Sequence, residues 1–180
     1  GFGMDCNPEL IAAAQNNTAK LGFSDRFVLH TGELADTRFL ENLRMEASPV
    51  QLVMANPPWR LVGSGRLPAT EARRKALFGD KGTFPLFASA ASSLLEEDGR
   101  FVCIISPDRL QDMLAALDGA GLTPYLLQYI HKQKTSPATF VLIEARKGAH
   151  AKPSVAEPIA LYGQERFFTL ESLAFCPFLR

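Results

Sequence analysis

Apolar and polar positions along this chain follow two alternating rhythms. Short, nearly continuous apolar runs stand at 2–5, 26–31, 50–55, 101–105, 123–132 and 139–146. Stretches with apolar residues spaced three and four apart lie at 8–21, 34–44, 83–97 and 108–117. The first kind reads as strand and the second as amphipathic helix. Their alternation predicts an α/β chain with a mostly parallel sheet.

The punctuation supports these elements. Asn7-Pro8-Glu9 reads as a helix cap, a proline in the first turn and an acid favourable to the helix dipole. The helix that follows carries Ile11, Ala14, Thr18 and Leu21 on one side and stops at Gly22. The helix at 34–44 offers Phe39, Leu40 and Leu43 as its apolar residues. The run 50–55 is apolar enough to predict a fully buried strand. Asn56-Pro57-Pro58 ends it, because neither proline can donate to a ladder. The helix at 83–97 is expected to stop at Asp98-Gly99, and the one at 108–117 at Gly119 and Gly121. Only 133–138 separates the last two strands, too little for a helical crossover, so that pair must be antiparallel. The tail from 147 to 180 has three prolines and an aromatic pair, Phe167-Phe168. No repeat or low-complexity tract interrupts the chain, and 180 residues suit a single domain with a real core.

Composition narrows the class. Hydrophobic residues make up 47% and charged residues 21%, as in ordinary globular proteins. No apolar run approaches the length of a membrane span. Cys6, Cys103 and Cys176 are odd in number and widely scattered, as are His30, His131 and His150. That pattern argues against a disulfide framework and a metal site, and for a reducing, cytoplasmic setting.

The net charge is zero but unevenly spread. Residues 60–81 carry Arg60, Arg66, Arg73, Arg74, Lys75 and Lys81 against Glu71 and Asp80. Residues 131–152 carry Lys132, Lys134, Arg146, Lys147 and Lys152 against Glu144. Each segment is net +4. Two confined basic segments suit a polyanion-binding surface; they are equally consistent with two solvated loops.

Asn56-Pro57-Pro58-Trp59 carries the strongest chemical signal. In an open α/β sheet, ligands bind beyond the carboxyl ends of the strands, where this tetrapeptide falls. A planar amino group is a poor nucleophile because its lone pair is delocalised. Two acceptors bonding its two N–H groups favour rehybridisation and aim the lone pair at an electrophile. The Asn56 side-chain oxygen and the Pro57 carbonyl are two such acceptors, held rigid by consecutive prolines. Trp59 offers a flat face for an extruded base, with stacking worth about 1–3 kcal/mol. No strong base is needed, since the nitrogen's proton becomes acidic on alkylation, and in-line geometry does most of the work. Taken alone, Asn-Pro is also a common turn. Asp5, at a strand end before a helix, stands where a carboxylate often grips a cofactor ribose. Glu33 follows the next strand end and could accept a bond from a cofactor's adenine amine; both acids also fit plain helix-start decoration.

With these residues in view, the chain resembles the class I S-adenosylmethionine-dependent methyltransferases. Met4-Asp5-Cys6-Asn7-Pro8-Glu9 resembles that family's second-strand segment, and Gly32-Glu33-Leu34 its third-strand turn, with Glu33 where Asp is usual. Asn56–Trp59 resembles the (Asn/Asp)-Pro-Pro-(aromatic) motif of its amino-group methyltransferases. The stretch 94–101 resembles the helix-to-fifth-strand junction, and the final hairpin the sixth and seventh strands. Within the superfamily the chain is most similar to bacterial tRNA adenine-N6 methyltransferases of the valine-tRNA type. The supporting stretches are Ala72-Arg73-Arg74, Glu144-Ala145-Arg146-Lys147-Gly148, Ile159-Ala160-Leu161-Tyr162 and Phe168-Thr169; Trp59 stands where that subgroup more often has tyrosine.

The resemblance implies a Rossmann-like methyltransferase sheet, mostly parallel with an antiparallel last strand. It implies S-adenosylmethionine as cofactor, contacted by Asp5, Cys6, Glu33 and Asn56, and catalysis at Asn56, Pro57, Pro58 and Trp59. RNA, most naturally tRNA, would be tracked by Arg60, Arg66, Arg73, Arg74, Lys132 and Lys134. The family's glycine-rich loop has no counterpart here, so the first strand, that loop and the first helix are expected upstream. Such a chain should bind cofactor poorly and leave one flank of its sheet open to pairing with a second copy. A protein glutamine-N5 methyltransferase, a DNA adenine methyltransferase and an inactive methyltransferase-like fragment are the competing readings.

Overall fold

The computed structural model describes residues 1–61, 68–149, 152–163 and 167–176. Contacts divide the chain into two units, Gly1–Pro49 and Val50–Arg180, where the sequence predicts a single domain over 1–180.

The first unit is a strand–helix–strand–helix run: β1 (Phe2–Asp5), α1 (Pro8–Lys20), β2 (Val28–Thr31) and α2 (Thr37–Ala47). β1 and β2 pair in parallel, with Phe2 opposite Val28 and Asp5 opposite Thr31. Asn7 caps α1 as expected, its side chain accepting from the Glu9 amide at 2.9 Å. Ile11 is buried on the predicted face, but Leu21, which falls on the C-cap, is exposed. α2 begins later than its apolar spacing predicts. Asp36 is its cap, accepting from the Phe39 amide at 3.0 Å, so 34–36 stays outside the helix.

The second unit holds β3 (Val50–Ala55), β4 (Arg60–Leu61), α3 (Glu71–Leu77), β5 (Phe78–Gly79), α4 (Thr83–Leu94), β6 (Leu95–Ile105), a 3-10 turn (Pro107–Arg109), α5 (Leu110–Gly119), β7 (Leu122–His131), β8 (Ala138–Lys147), β9 (Ser154–Val155), β10 (Ile159–Ala160) and α6 (Leu170–Phe175). Its main sheet runs β10-β7-β8-β6-β3, with β9 also pairing with β7. β3 lies parallel to β6, and β10 to β7. β8 is antiparallel to β7, as their short connection requires, and antiparallel to β6 as well. β4 and β5 form a separate parallel pair, with Arg60 opposite Phe78.

The core sits where two strands present every second residue to α4 and α5. Phe101, Cys103 and Ile105 of β6 pair directly with Ala145, Ile143 and Val141 of β8, and all six are buried. In two of the three pairs, Phe101–Ala145 and Cys103–Ile143, a large side chain faces a smaller one across the ladder. Phe84, Ala88 and Ala91 of α4 and Met113 and Leu117 of α5 complete the cluster. Each fully buried large side chain contributes about 1.5–3 kcal/mol.

Two expectations need correction. β3 is not fully buried: Leu52 is 41% and Met54 74% exposed, and only Val50, Val53 and Ala55 face inward. Its one ladder partner among the described residues is β6, so it is an edge strand, and its apolar run does not signify burial on both faces. The helix expected over 83–97 ends at Leu94, and β6 starts at Leu95. Residues 96–99 form an irregularity in the ladder, with the register stepping from Val50–Leu95 to Leu52–Arg100 and Asp98 at φ 62°.

Candidate active site

The carboxyl ends of β3, β6 and β7 share one edge of the main sheet. Ala55 pairs with Cys103 in parallel, Ile105 with Val141, and Ile130 with Phe140, so these three strands point the same way. Asn56–Trp59 leaves β3 at that edge, the 3-10 turn leaves β6 beside it, and the turn carrying Lys132 and Lys134 leaves β7 there.

The Asn-Pro-Pro-Trp segment is held at several points. Pro57 is fully buried, while Asn56 is exposed. Among the described residues, no hydrogen bond occupies the Asn56 carboxamide or the Pro57 carbonyl. The Trp59 carbonyl accepts from Arg109 Nη1 at 2.7 Å. The Trp59 ring meets Phe140 of β8 edge-on, with centroids 6.2 Å apart and planes at 74°. The Arg60 guanidinium lies 5.3 Å from the same ring's centroid. The exposed Asn56 carboxamide, beside a braced aromatic ring, is an acceptor that a planar amine can reach.

The predicted basic residues divide into two kinds. Arg60, Arg73, Arg74, Lys132 and Lys134 are exposed. Arg73 and Arg74 sit on α3, which runs straight into Phe78, the ladder partner of Arg60. Arg66 lies outside the described residues. Two others of the second basic segment are committed elsewhere. Arg146 bonds Glu144 at 2.9 Å and stacks 3.5 Å over Tyr125. Lys147 Nζ donates to the carbonyls of Ser92 and Leu95 at 2.9 and 2.8 Å, closing the end of α4.

In the first unit, Asp5 ends β1 and Glu33 follows β2, so both acids lie at the carboxyl end of that parallel pair. The Gly32 amide donates to the Asp5 carbonyl at 3.1 Å, which ties the two strand ends together. One Asp5 carboxylate oxygen accepts from the Asn7 amide at 2.8 Å. Cys6 and Glu33 are exposed.

Three contributors carry no sequence signal of their own. Arg109 looks like a solvated first-turn residue but is buried. Gly79 looks like loop punctuation but lies against the Pro58 carbonyl. Phe140 reads only as a strand residue.

No protein-family model matches the chain. It is similar over 99% of its length to a predicted O-methyltransferase of Agrobacterium tumefaciens, at 19% identity and a TM-score of 0.71, covering 75% of that chain. The geranyl diphosphate C-methyltransferase of Streptomyces coelicolor aligns with 81% of the chain at a TM-score of 0.53 and 12% identity, covering 64% of that protein. The fold is that of the class I S-adenosylmethionine-dependent methyltransferases. A mixed, mostly parallel sheet is what the strand and helix alternation predicts, and its methyltransferase form is what the resemblance implies. In sequence, the chain is similar to the tRNA1(Val) (adenine(37)-N6)-methyltransferase of Porphyromonas gingivalis, 32% identical over 113 residues. The match takes in 62% of this methyltransferase-fold chain, which spans about two-fifths (42%) of that relative's length. No helix of the described residues is long and apolar enough to cross a membrane.

Proposed function

We propose that this chain belongs to an S-adenosylmethionine-dependent N-methyltransferase that modifies the N6 amine of adenine in tRNA. The observation that carries the reading is the exposed Asn56 carboxamide, without a hydrogen bond among the described residues, at the carboxyl edge of β3 and next to a braced Trp59. The similarity to a tRNA adenine-N6 methyltransferase supports the choice of amine.

S-adenosylmethionine, when bound, supplies an electrophilic methyl group on a sulfonium. The Asn56 side-chain oxygen and the Pro57 carbonyl accept the two N–H groups of the target amine. That draws the nitrogen out of conjugation and directs its lone pair outward. Trp59 stacks on the extruded base. The alkylated nitrogen then loses its proton to solvent, which the exposure of Asn56 permits. Asp5 and Glu33 have the chemistry to accept bonds from a ribose diol and an adenine amine. Asp5 keeps one carboxylate oxygen beyond the one turned to Asn7. Arg60, Arg73, Arg74, Lys132 and Lys134 track phosphates as exposed cations. Action on RNA in the cytoplasm is part of the same proposal.

Methyl transfer from labelled S-adenosylmethionine by the full-length protein tests it, with unmodified tRNA, ribosomal RNA, DNA and protein offered separately. N6-methyladenosine recovered from tRNA supports the proposal. Label recovered as methylglutamine moves the activity to protein amides, and label in DNA moves it to that polymer. No transfer to any of the four rejects it.

A further inference from the structure

We infer that Arg109 is a positioning residue that sets the Asn56–Trp59 loop for catalysis through the Trp59 carbonyl. The inference rests on the proposed role of that loop.

A charged side chain at 4% exposure is costly to bury, so its neighbours must compensate it. Arg109 Nη1 donates to the Trp59 carbonyl and Nε to Asp112 Oδ2, each at 2.7 Å. The flat of the guanidinium lies 4.6 Å from the centroid of the buried Phe84 ring. One plane thus joins three elements: the exit of β3, the first turn of α5 and the start of α4. A partner for phosphate would stand in solvent, and this guanidinium does not.

The loop needs such an outside donor because of its own sequence. Pro57 and Pro58 have no N–H, so neither can tie the turn through an amide of its own. The ring of each proline fixes φ but leaves ψ to be set from elsewhere. A donor on the Trp59 carbonyl fixes the Trp59–Arg60 peptide plane. With Pro57 buried at the other end, the segment is held at both of its ends. Lysine could reach one of the two acceptors but lacks the planar fork that serves both at once.

Trp59 is the chain's single tryptophan, so its fluorescence reports on the loop with neither cofactor nor RNA present. Arg109→Met and Arg109→Lys are compared with the parent chain by acrylamide quenching and emission maximum. Far-UV circular dichroism and a cooperative melt confirm folding. Arg109→Met is expected to raise quenching and shift emission to the red, with Arg109→Lys falling between it and the parent. In methyl transfer by the full-length protein, Arg109→Met is expected to lower kcat about 10–100-fold with little change in KM for either substrate, since loss of alignment acts on the chemical step. Unchanged quenching in a folded Arg109→Met overturns the inference, and so does changed quenching with an unchanged kcat. Should Arg109→Met fail to fold, Arg109→Lys decides: values equal to the parent's in both measurements overturn it. If quenching responds as expected but the parent protein transfers no methyl group to any acceptor, the brace stands and the proposed function is what fails.

Discussion

Gly79 and the carbonyl of Pro58 are so close that a Cβ on residue 79 would stand 2.6 Å from that oxygen. The same Cβ would stand 2.6 Å from Thr83 Oγ1, which accepts from the Asp80 amide at 2.9 Å as α4 begins. One glycine therefore lets the proline loop and the start of α4 pack together. Gly79→Ala is expected to cost about 1–3 kcal/mol through overpacking, because one of the two nearest obstructions is backbone. Denaturant unfolding checks this; an unchanged midpoint would mean that the loop gives way freely.

Asn56→Ala removes one of the two proposed acceptors at an exposed position. By analogy with loss of a single preorganised polar group in an oxyanion hole, kcat is expected to fall about 10²–10³-fold. Cofactor affinity should change far less. Steady-state kinetics together with calorimetric titration of S-adenosylmethionine separate the two, and equal losses in both would remove Asn56 from the chemistry.

The basic residues give a prediction with a built-in control. Replacing Lys132 or Lys134, both exposed, should flatten the slope of log K against log salt for tRNA binding by about 0.7–0.9 per charge. Arg146→Gln should leave that slope alone and lower the melting temperature, since Arg146 is engaged by Glu144 and Tyr125. A slope that responds to Arg146 as strongly as to Lys132 would show that charge count rather than position governs binding.

Burial pushes the Cys103 thiol up to about 12 from its ordinary value of 9.0. The folded state thus holds this proton where the unfolded chain has already released it. Its contribution is intact below about pH 9 and is lost as pH rises from there through about 12. In the native protein, thiol reagents near neutral pH should modify exposed Cys6 and spare Cys103 until the chain unfolds. Counting modified thiols by mass before and after adding denaturant tests the assignment.

Much of this fold is legible along the sequence because two periods seldom mimic each other. Ile11, Leu40 and Leu43 are buried where a helical spacing puts them, and 133–138 forces the hairpin. The motif is legible as well, because two prolines after an apolar strand leave few conformations. Three kinds of fact resist such reading. Leu52 and Met54 look like core, but an edge strand buries only what its neighbours cover, and the neighbours are set by topology. Arg109, Arg146 and Lys147 look like solvent-facing charge, yet Arg109 and Lys147 are taken up by carbonyls far along the chain, and Arg146 by its neighbour Glu144 and the Tyr125 ring. Asp36 outcompetes the apolar spacing at 34–36 because its carboxylate meets a helix amide there.

β8 lies between two strands that are synthesised before it. Chain order and sheet order therefore disagree, and β6 and β7 cannot zip together as they leave the ribosome. Until 138–147 has emerged, each of them presents an open ladder to whatever other chain is near. Exposure to mispairing thus lasts until β8 emerges, when β6 and β7 already exist as chain and lack the strand that joins them.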